Sequence, residues 1–470
     1  MAFLYRIFDT FNFYIWGVPM VLLIFGLGIY LSFSLGFLQK HLLKAIKLSV
    51  TSSKGKGEVS SFASLAINIA ANVGTGSILG MTTAVVEGGP GAVFWMVFAG
   101  FFGFATKYAE CFLGVKHRVH IKDGEYVGGP MYVLQNVVKK RWVAILFAIA
   151  AISMAITGGG SLQSNAISDL LVSSYRINPL YVGILLAAII GVIIFGGVHR
   201  VAKFSEATTP LKGGVYILAT IIILCMHIKD VPGAVVLIMK TAFTGKAAAG
   251  GFLGVGVMAV VNGMIAAARS GVSRGVFSTE AALGSAAIGA AAAKTDSPVK
   301  QALISATAVF WTIIICTLTG LVIIVAGDWQ NPNLYSGSLA HNAFSTLKYI
   351  GVPMLVFSLT LFAFTTIVGW YYYGEKVIEF LEGKKWIFPF RIFWILIILG
   401  GSVLGADFLN FKFFLSAEDV LTFNSGMSVQ FMWALVVTVT TFMVLPNIYC
   451  MWVLRKEIKE DTRKYIKENF

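Results

Sequence analysis

The chain has 470 residues, of which 57% are hydrophobic and only 12% charged, and its mean hydropathy is +0.81. Soluble domains carry roughly 25% charged residues, so the composition excludes a soluble globular protein and indicates a polytopic membrane protein. A net charge of +14 would suggest nucleic-acid binding in a soluble protein, but basic cytoplasmic loops explain it here. The four scattered cysteines show no metal-type spacing.

Apolar segments of about twenty residues are long enough to cross the roughly 30 Å hydrocarbon core of a bilayer. On this measure the sequence predicts eleven transmembrane helices, and we expect no cleaved signal peptide before the first. The predicted spans are 14–36, 61–86, 89–115, 142–172, 179–198, 208–228, 249–271, 299–327, 350–374, 386–404 and 428–452.

The distribution of Lys and Arg predicts the orientation. Of the 36 Lys and Arg residues, 28 fall in loops that share one side of the membrane, including a loop at 200–212, and 7 fall on the other side. Cytoplasmic loops carry the excess of basic residues. We therefore expect the N-terminus outside and the C-terminus in the cytoplasm.

Two predicted spans are interrupted by glycines. The second contains "NIAANVGTGSILG", from Asn68 to Gly80, and the seventh reads "GGFLGVGVMAVVNGMIAAARSG", with Asn262 at mid-depth. A pair of glycine-interrupted spans in corresponding positions of two halves points to a transporter's binding site. Spans two and seven are five apart, so they would open two five-span halves of opposite orientation.

Glycines in a membrane span also permit close helix packing, and spacing alone does not separate this role from an unwound segment. A soluble enzyme would use the same residues differently, since Gly74, Gly76 and Gly80 approach a dinucleotide-binding fingerprint. That fingerprint requires a strand–turn–helix context, which a membrane span lacks. The dinucleotide site is therefore excluded, whereas packing remains an alternative.

Several long motifs resemble the alanine or glycine:cation symporter family, also called sodium:alanine symporters. They are "ANVGTGSILG", "EGGPGAVFWMVFAGFFGFATKYAE", "DGEYVGGPMYVL", "FGGVHRVAKFSE", "SRGVFSTEAALGSAAIGAAAAKTDSPV" and "FAFTTIVGWYYYGEK", and they span most of the chain. Some positions depart from the family pattern, where Asn, His or Trp is common: Ser77, Val97, Thr279, Gly289 and Ser297.

The resemblance implies an all-α fold of the LeuT-like type, a five-plus-five inverted repeat with one extra N-terminal span. The implied divisions are the extra span and basic loop (1–60), the first repeat (61–228), the second repeat (229–452) and a cytoplasmic tail (453–470).

In such a fold, unwinding the second span exposes N–H groups at the start of a half-helix, and these suit a substrate carboxylate. The backbone around Gly74 to Ser77 is therefore the expected substrate site. Other expected lining residues are Gln163 in span four, and Thr366 and Trp370, which share a helix face. The expected substrate-binding set is Asn72, Gly74, Thr75, Gly76, Ser77, Gln163, Asn262, Thr366 and Trp370.

The resemblance also implies sodium as the coupling ion, with no other cofactor. The expected ligands are carbonyls of Ala70, Val73 and Phe362 and hydroxyls of Thr365 and Thr366. A charge at the centre of a span costs roughly 2.5–3.5 kcal/mol or more, and we expect no acidic or His residue near mid-depth in spans two, four, seven or nine. This favours sodium over proton coupling. A second sodium site is doubtful because Ser77 replaces a side-chain amide.

The predicted function is therefore sodium-coupled symport of a small neutral amino acid, alanine (D-alanine included) or glycine, across the cell membrane. A glutamine carrier of the same family and a proton-coupled carrier remain as alternatives. A channel would need a repeated pore loop or rings of charge, and an enzyme would need an intramembrane acid or metal-ligand cluster. Lys107 and Glu110 are expected to form a structural pair that snorkels at the end of span three.

Overall fold

The computed structural model describes residues 2–16, 18–51, 55–121, 125–244, 257–331, 334, 337–404 and 425–469. Within these ranges the chain is helical apart from loops and one antiparallel hairpin of β1 (Val119–His120) and β2 (Tyr126–Val127). The first ten α-helices are α1 (Ala2–Ile15), α2 (Val18–Ser34), α3 (Leu42–Ser49), α4 (Ser61–Asn72), α5 (Leu79–Gly88), α6 (Gly91–Lys116), α7 (Pro130–Asn136), α8 (Arg141–Met154), α9 (Leu162–Tyr175) and α10 (Pro179–Ile194).

The remaining α-helices begin at Gly197. They are α11 (Gly197–Met226), α12 (Val231–Thr244), α13 (Val257–Thr279), α14 (Ser285–Ala291), α15 (Pro298–Ala326), α16 (Gly337–Ser345), α17 (Gly351–Glu382), α18 (Ile387–Val403), α19 (Ser425–Val453) and α20 (Arg455–Asn469). Short 3₁₀ segments lie at Leu38–His41, Thr75–Ser77 and Lys384–Trp386, and a π-helix at Ala155–Ser161 joins α8 to α9.

Each of the eleven predicted spans overlaps a helix or a helix pair. By length and composition, seven of the described helices are able to cross a membrane, and two bent pairs raise this number to nine. The other two predicted spans are α10, which has 16 residues, and α13, where predicted residues 249–256 lie outside the described ranges. The all-α polytopic class is confirmed, whereas the count of eleven stays a prediction.

Helix α11 corrects one predicted boundary. The loop expected at 200–212 is helical, because α11 runs from Gly197 to Met226 and contains Pro210. Lys212 is therefore inside a helix, packed between α4 and α17, and only 1% exposed. Its positive charge indicated a loop, but in the fold the lysine is buried among helices. The orientation of the termini stays a prediction.

The second span is interrupted between α4 and α5, which meet at a bend of 65°. We call residues 73–78, between these two helices, the first break. Helix α4 is capped at its N-terminus, because the Ser60 hydroxyl accepts a hydrogen bond from the Ala63 N–H. At its other end, α4 packs closely on α17, where a side chain on Gly369 would clash with the backbone of Ala71.

A second break lies between α13 and α14, at residues 280–284. Glu280, Ala282 and Gly284 all have positive φ, of 50°, 75° and 81°. Positive φ is strained for residues with a Cβ and persists only where neighbouring groups hold it. The glycine-rich segment of the predicted seventh span is not the site of this break, since α13 is continuous from Val257 to Thr279.

Lys107 and Glu110 of α6 hold the second break in place. The Lys107 ammonium donates to the Glu280 carbonyl at 3.1 Å, and the Glu110 carboxylate accepts from the Gly284 N–H at 3.0 Å. Both side chains are buried and lie 3.5 Å from each other. Asn447 of α19 donates to the Ala282 carbonyl at 2.8 Å. The pair is structural, as predicted, but it does not snorkel, because it binds a broken backbone in the protein interior.

Candidate functional site

The first break exposes two backbone N–H groups. Within the described residues, the N–H groups of Thr75 and Gly76 have no hydrogen-bond acceptor, while Ser77 and Ile78 donate back to Gly74 and Thr75. A side chain built on Gly76 would meet no atom within 4 Å. Gly76 therefore borders open space, and two N–H groups without partners lie there at the start of a helix, which is the geometry that binds a carboxylate.

Gln163 lies beside the first break. Its Oε1 accepts a hydrogen bond of 3.0 Å from the Thr75 hydroxyl, and its Nε2 donates to the Gly158 carbonyl at 3.2 Å. Gly158 belongs to the π-helix Ala155–Ser161, in "AITGGGS". Single π-helical turns inside α-helices occur frequently at functional sites, and the run of three glycines was the sequence signal for it.

Asn72 and Ser77 each present a buried polar atom without a partner. The Oδ1 of Asn72 and the Oγ of Ser77 have no hydrogen-bond partner in the described structure, and the two residues are 5% and 0% exposed. Buried polar atoms are nearly always bonded. An unpaired donor or acceptor next to free N–H groups indicates a place where a polar ligand binds.

Trp370 closes one side of this region. It is 2% exposed and packs directly on the π-helix, because a Cβ on Gly159 would lie 2.3 Å from its own Cβ. Thr366, one turn earlier, donates to the Ala70 carbonyl at 3.0 Å and to the Phe362 carbonyl at 2.9 Å. Thr366 therefore binds α17 to α4, and a side chain on Gly74 would lie 2.6 Å from its hydroxyl oxygen.

The second break supplies a residue that sequence reasoning missed. Glu280 is 4% exposed, its Oε2 accepts a 2.6 Å hydrogen bond from Ser285, and it interacts with Trp370. The expectation that no acidic residue lies near mid-depth in span seven stays a prediction, because Glu280 follows α13 and lies outside the predicted bounds 249–271. Asn262, predicted to line the site, is exposed on α13 and makes none of the contacts described above, so its role stays a prediction.

The oxygens predicted to bind sodium contact a lysine. The Lys212 Nζ lies 2.7 Å from the Thr365 hydroxyl oxygen, 2.9 Å from the Val73 carbonyl and 3.4 Å from the Ala70 carbonyl. A further carbonyl, that of Ile69, is 3.3 Å away. We call these four oxygens the ion seat. A sodium ion does not fit there together with Lys212, because the ammonium nitrogen already lies among the oxygens.

The remaining two predicted sodium ligands bond each other rather than Lys212. The Phe362 carbonyl accepts hydrogen bonds from the hydroxyls of Thr365 and Thr366, and the Phe362 ring lies 5.1 Å from the Lys212 Nζ. The Thr366 hydroxyl is directed to carbonyls. The structure therefore brings together three of the five predicted oxygens around one cation, and that cation is a side chain.

Comparisons with known proteins show the family of the chain. The family described as "Sodium:alanine symporter family" matches residues 1–469. The chain is 36% identical over 469 residues to the "Sodium/alanine symporter AgcS" of Methanococcus maripaludis, covering 97% of this chain and 96% of that protein. It is 34% identical over 463 residues to the "Probable sodium/glutamine symporter GlnT" of Bacillus subtilis, covering 97% of this chain and 89% of that protein.

A solved structure supports the fold. The crystal structure of MhsT in complex with L-phenylalanine matches with a TM-score of 0.55 at 14% sequence identity, covering 88% of this chain and 100% of that one. Together with the two broken helices, this likeness shows the LeuT-like fold. The chain belongs to the sodium:alanine symporter family.

Proposed function

We propose that the protein is a secondary active transporter that carries a small neutral amino acid, with alanine or glycine as the first candidates, into the cell together with a cation. It works by alternating access at the two breaks. The proposal places it in the cell membrane with its N-terminus outside, and it keeps the division into two five-span repeats, 61–228 and 229–452. The ion named for the family is sodium, which makes sodium the first cation to test.

One observation carries the proposal. The N–H groups of Thr75 and Gly76 have no acceptor at the first break, Gly76 borders open space, and the unpaired Oδ1 of Asn72 is buried nearby in the chain. An amino acid is a zwitterion, so it needs donors for its carboxylate and acceptors for its ammonium. The N–H groups supply the donors. Asn72 and Gln163 supply neutral acceptors.

The walls favour a small side chain. Trp370 is fixed against Gly159 of the π-helix, where even a methyl group would overlap it. A rigid aromatic wall leaves little freedom for the site to adapt to a larger ligand. Glutamine is the second candidate, because the relative named as a sodium/glutamine symporter is 34% identical over 97% of this chain.

The test is uptake into proteoliposomes that contain the purified protein. Labelled alanine, glycine and glutamine are offered separately under sodium, potassium or proton gradients, at one fixed membrane potential. We expect saturable accumulation of alanine or glycine. A flux that does not saturate, or that exceeds carrier rates by orders of magnitude, would indicate a channel. The absence of uptake of all three amino acids under every gradient would contradict the proposal.

A further inference from the structure

Lys212 is a buried cation with an unusual set of partners. Elsewhere in the described structure, buried lysines pair with carboxylates: Lys107 with Glu110, and Lys376 with Glu379 and Glu125. The Lys212 ammonium instead contacts the four neutral oxygens of the ion seat and the face of the Phe362 ring. Neutral carbonyl and hydroxyl oxygens at a broken helix are the ligands that transporters use for sodium.

The hydrogen-bond directions at the ion seat require a donor at its centre. Three of the four oxygens are carbonyls, which only accept. The fourth, the Thr365 hydroxyl, already donates its own hydrogen to the Phe362 carbonyl at 3.0 Å, so it presents a lone pair to Lys212. An ammonium has three donors and no lone pair. The seat is therefore complementary to a cation from every side.

No acidic residue is close along the chain to the residues that form the ion seat on the described helices α4 and α17 and in the first break. On the described helices α4 and α17 and in the first break, no Asp or Glu lies within two turns of the ligating residues. On α11 itself, the Glu206 carboxylate accepts from the Ser60 hydroxyl, and the Tyr216 hydroxyl bonds Thr319. Along these stretches of chain, no carboxylate therefore pairs with Lys212.

Lys212 links three helices and the first break. Its stem comes from α11. Two of its partners are carbonyls at the end of α4, a third is a carbonyl of the first break, and the fourth is a hydroxyl of α17. The Ile69 carbonyl already accepts from the Val73 N–H at 3.0 Å and the Ala70 carbonyl from the Thr366 hydroxyl, so Lys212 is a further donor to both. For the Val73 carbonyl, Lys212 is the donor that the described residues provide. A cation at the seat therefore joins α11, α4 and α17 at the first break.

We propose that Lys212 is the cation of the ion seat, tethered to the chain, and that it takes the place of a sodium ion there. The inference rests on the proposed function, since it concerns the cation of the same carrier. A free ion leaves its seat for solution at one side of the membrane, whereas a tethered ammonium stays with the protein. The seat is therefore held without sodium, and any sodium requirement of transport does not arise from it.

The test measures ion binding through thermal stability and needs no substrate. The melting temperature of the purified protein in detergent is recorded in sodium chloride and in potassium chloride at equal ionic strength. The variants are Lys212→Ala, which vacates the seat, and Lys212→Met, which fills it without a charge. Lys203→Ala, which changes an exposed lysine on the same helix, is the matched control.

We expect any difference in melting temperature between sodium and potassium to be the same in the unmodified protein, in Lys203→Ala and in Lys212→Met, with Lys212→Met lower in both salts. Lys212→Ala should gain several further degrees in sodium over potassium, because a ligand that binds only the folded state stabilises it. A second change, Thr365→Val in Lys212→Ala, should remove that gain.

A sodium-specific rise in the melting temperature of the unmodified protein that Thr365→Val abolishes would overturn the inference. This comparison uses only the unmodified protein and Thr365→Val, so it can be made even if Lys212→Ala does not fold. Failure of the proposed function would look different, since it is the loss of amino-acid uptake in every salt. The melting experiment reports on the ion seat whether or not an amino acid is carried.

Discussion

The Asn72 side chain, at the edge of the first break, donates a hydrogen bond of 3.1 Å to the Thr279 carbonyl, at the edge of the second break. The two breaks belong to helices far apart in sequence, so this contact ties together the two places where the backbone is open. Asn72 keeps its Oδ1 unpaired and thus serves a packing contact and a free acceptor at once. Loss of this residue should affect both the structure and the ligand.

Asn72→Leu is the corresponding test. Leucine keeps the approximate size of the side chain and removes both polar atoms. We expect the apparent affinity for alanine to fall by about tenfold, because a hydrogen-bond contact of roughly 1–2 kcal/mol is lost. Gln301→Leu is the control: it removes a fully buried amide bonded to Ser64 and Ser305, away from the breaks. Equal losses of affinity in both variants would show that Asn72 is only structural.

Substitutions of the two glycines of the first break should have different effects, one on uptake and the other on stability. A side chain on Gly76 meets open space, whereas one on Gly74 lies 2.6 Å from the Thr366 hydroxyl oxygen. We expect Gly76→Leu to insert and fold normally but to abolish uptake, since the leucine occupies the carboxylate position. Gly74→Ala should lower the melting temperature instead. Normal affinity in Gly76→Leu would make the break a packing feature, as membrane-packed glycines often are.

The first break was predictable because its cause is local. Glycines, a threonine and asparagines concentrate within "NIAANVGTGSILG", and such a segment is poorly suited to a continuous apolar helix. The π-helix before Gln163 is similarly marked by its glycine run. The polytopic class followed from composition for the same reason, since it depends on no contact between distant residues.

The second break and the ion seat depend on distant contacts. Glu280 and Ala282 adopt positive φ without being glycines, and what holds them is Lys107, Glu110 and Asn447 from other helices. Lys212 was predicted to lie in a loop because it is charged. The sequence shows that charge but not the oxygens that surround it in the fold. Tertiary partners decided both outcomes.

We expect the contact between Trp370 and Gly159 to set the size of the substrate. We expect leucine and phenylalanine to compete poorly with labelled alanine in the unmodified protein. Gly159→Ala should reduce alanine uptake and weaken this selectivity, because the new methyl group lies 2.3 Å from the Trp370 Cβ and must displace the indole. Gly400→Ala, with no atom within 4 Å, is the control. Leucine competing as well as alanine with the unmodified protein would contradict the small pocket.

The buried pair at the second break predicts a large effect on stability. Lys107→Met leaves the Glu110 charge without its cation, and breaking a buried pair from one side costs about 3–5 kcal/mol. The melting temperature of Lys107→Met should therefore fall strongly. Adding Glu110→Gln should recover part of the loss, because a neutral amide needs no counter-charge. If the double variant is as unstable as the sum of the single ones, the two side chains act independently.

Thr365 and Thr366 are adjacent, and each contacts the region of the ion seat in a different way. Thr365 accepts a hydrogen bond from Lys212 at 2.7 Å, and Thr366 donates to the Ala70 carbonyl at 3.0 Å. Valine keeps the shape of threonine and deletes the oxygen. With Lys212 as the cation, both Thr365→Val and Thr366→Val should lower the melting temperature, each through a lost contact of roughly 1–2 kcal/mol.

The sodium dependence of uptake should then be the same in both valine variants as in the unmodified protein. If sodium occupied the seat instead, deleting the Thr365 oxygen would raise the sodium concentration for half-maximal uptake by about tenfold. Thr366→Val would do so only if its hydroxyl turned from the Ala70 carbonyl toward the ion. The difference between the two variants therefore tells whether a free ion or the Lys212 ammonium lies among these oxygens. A sigmoidal sodium dependence in the unmodified protein would require at least two sodium ions, and an unchanged curve in both variants would locate them elsewhere.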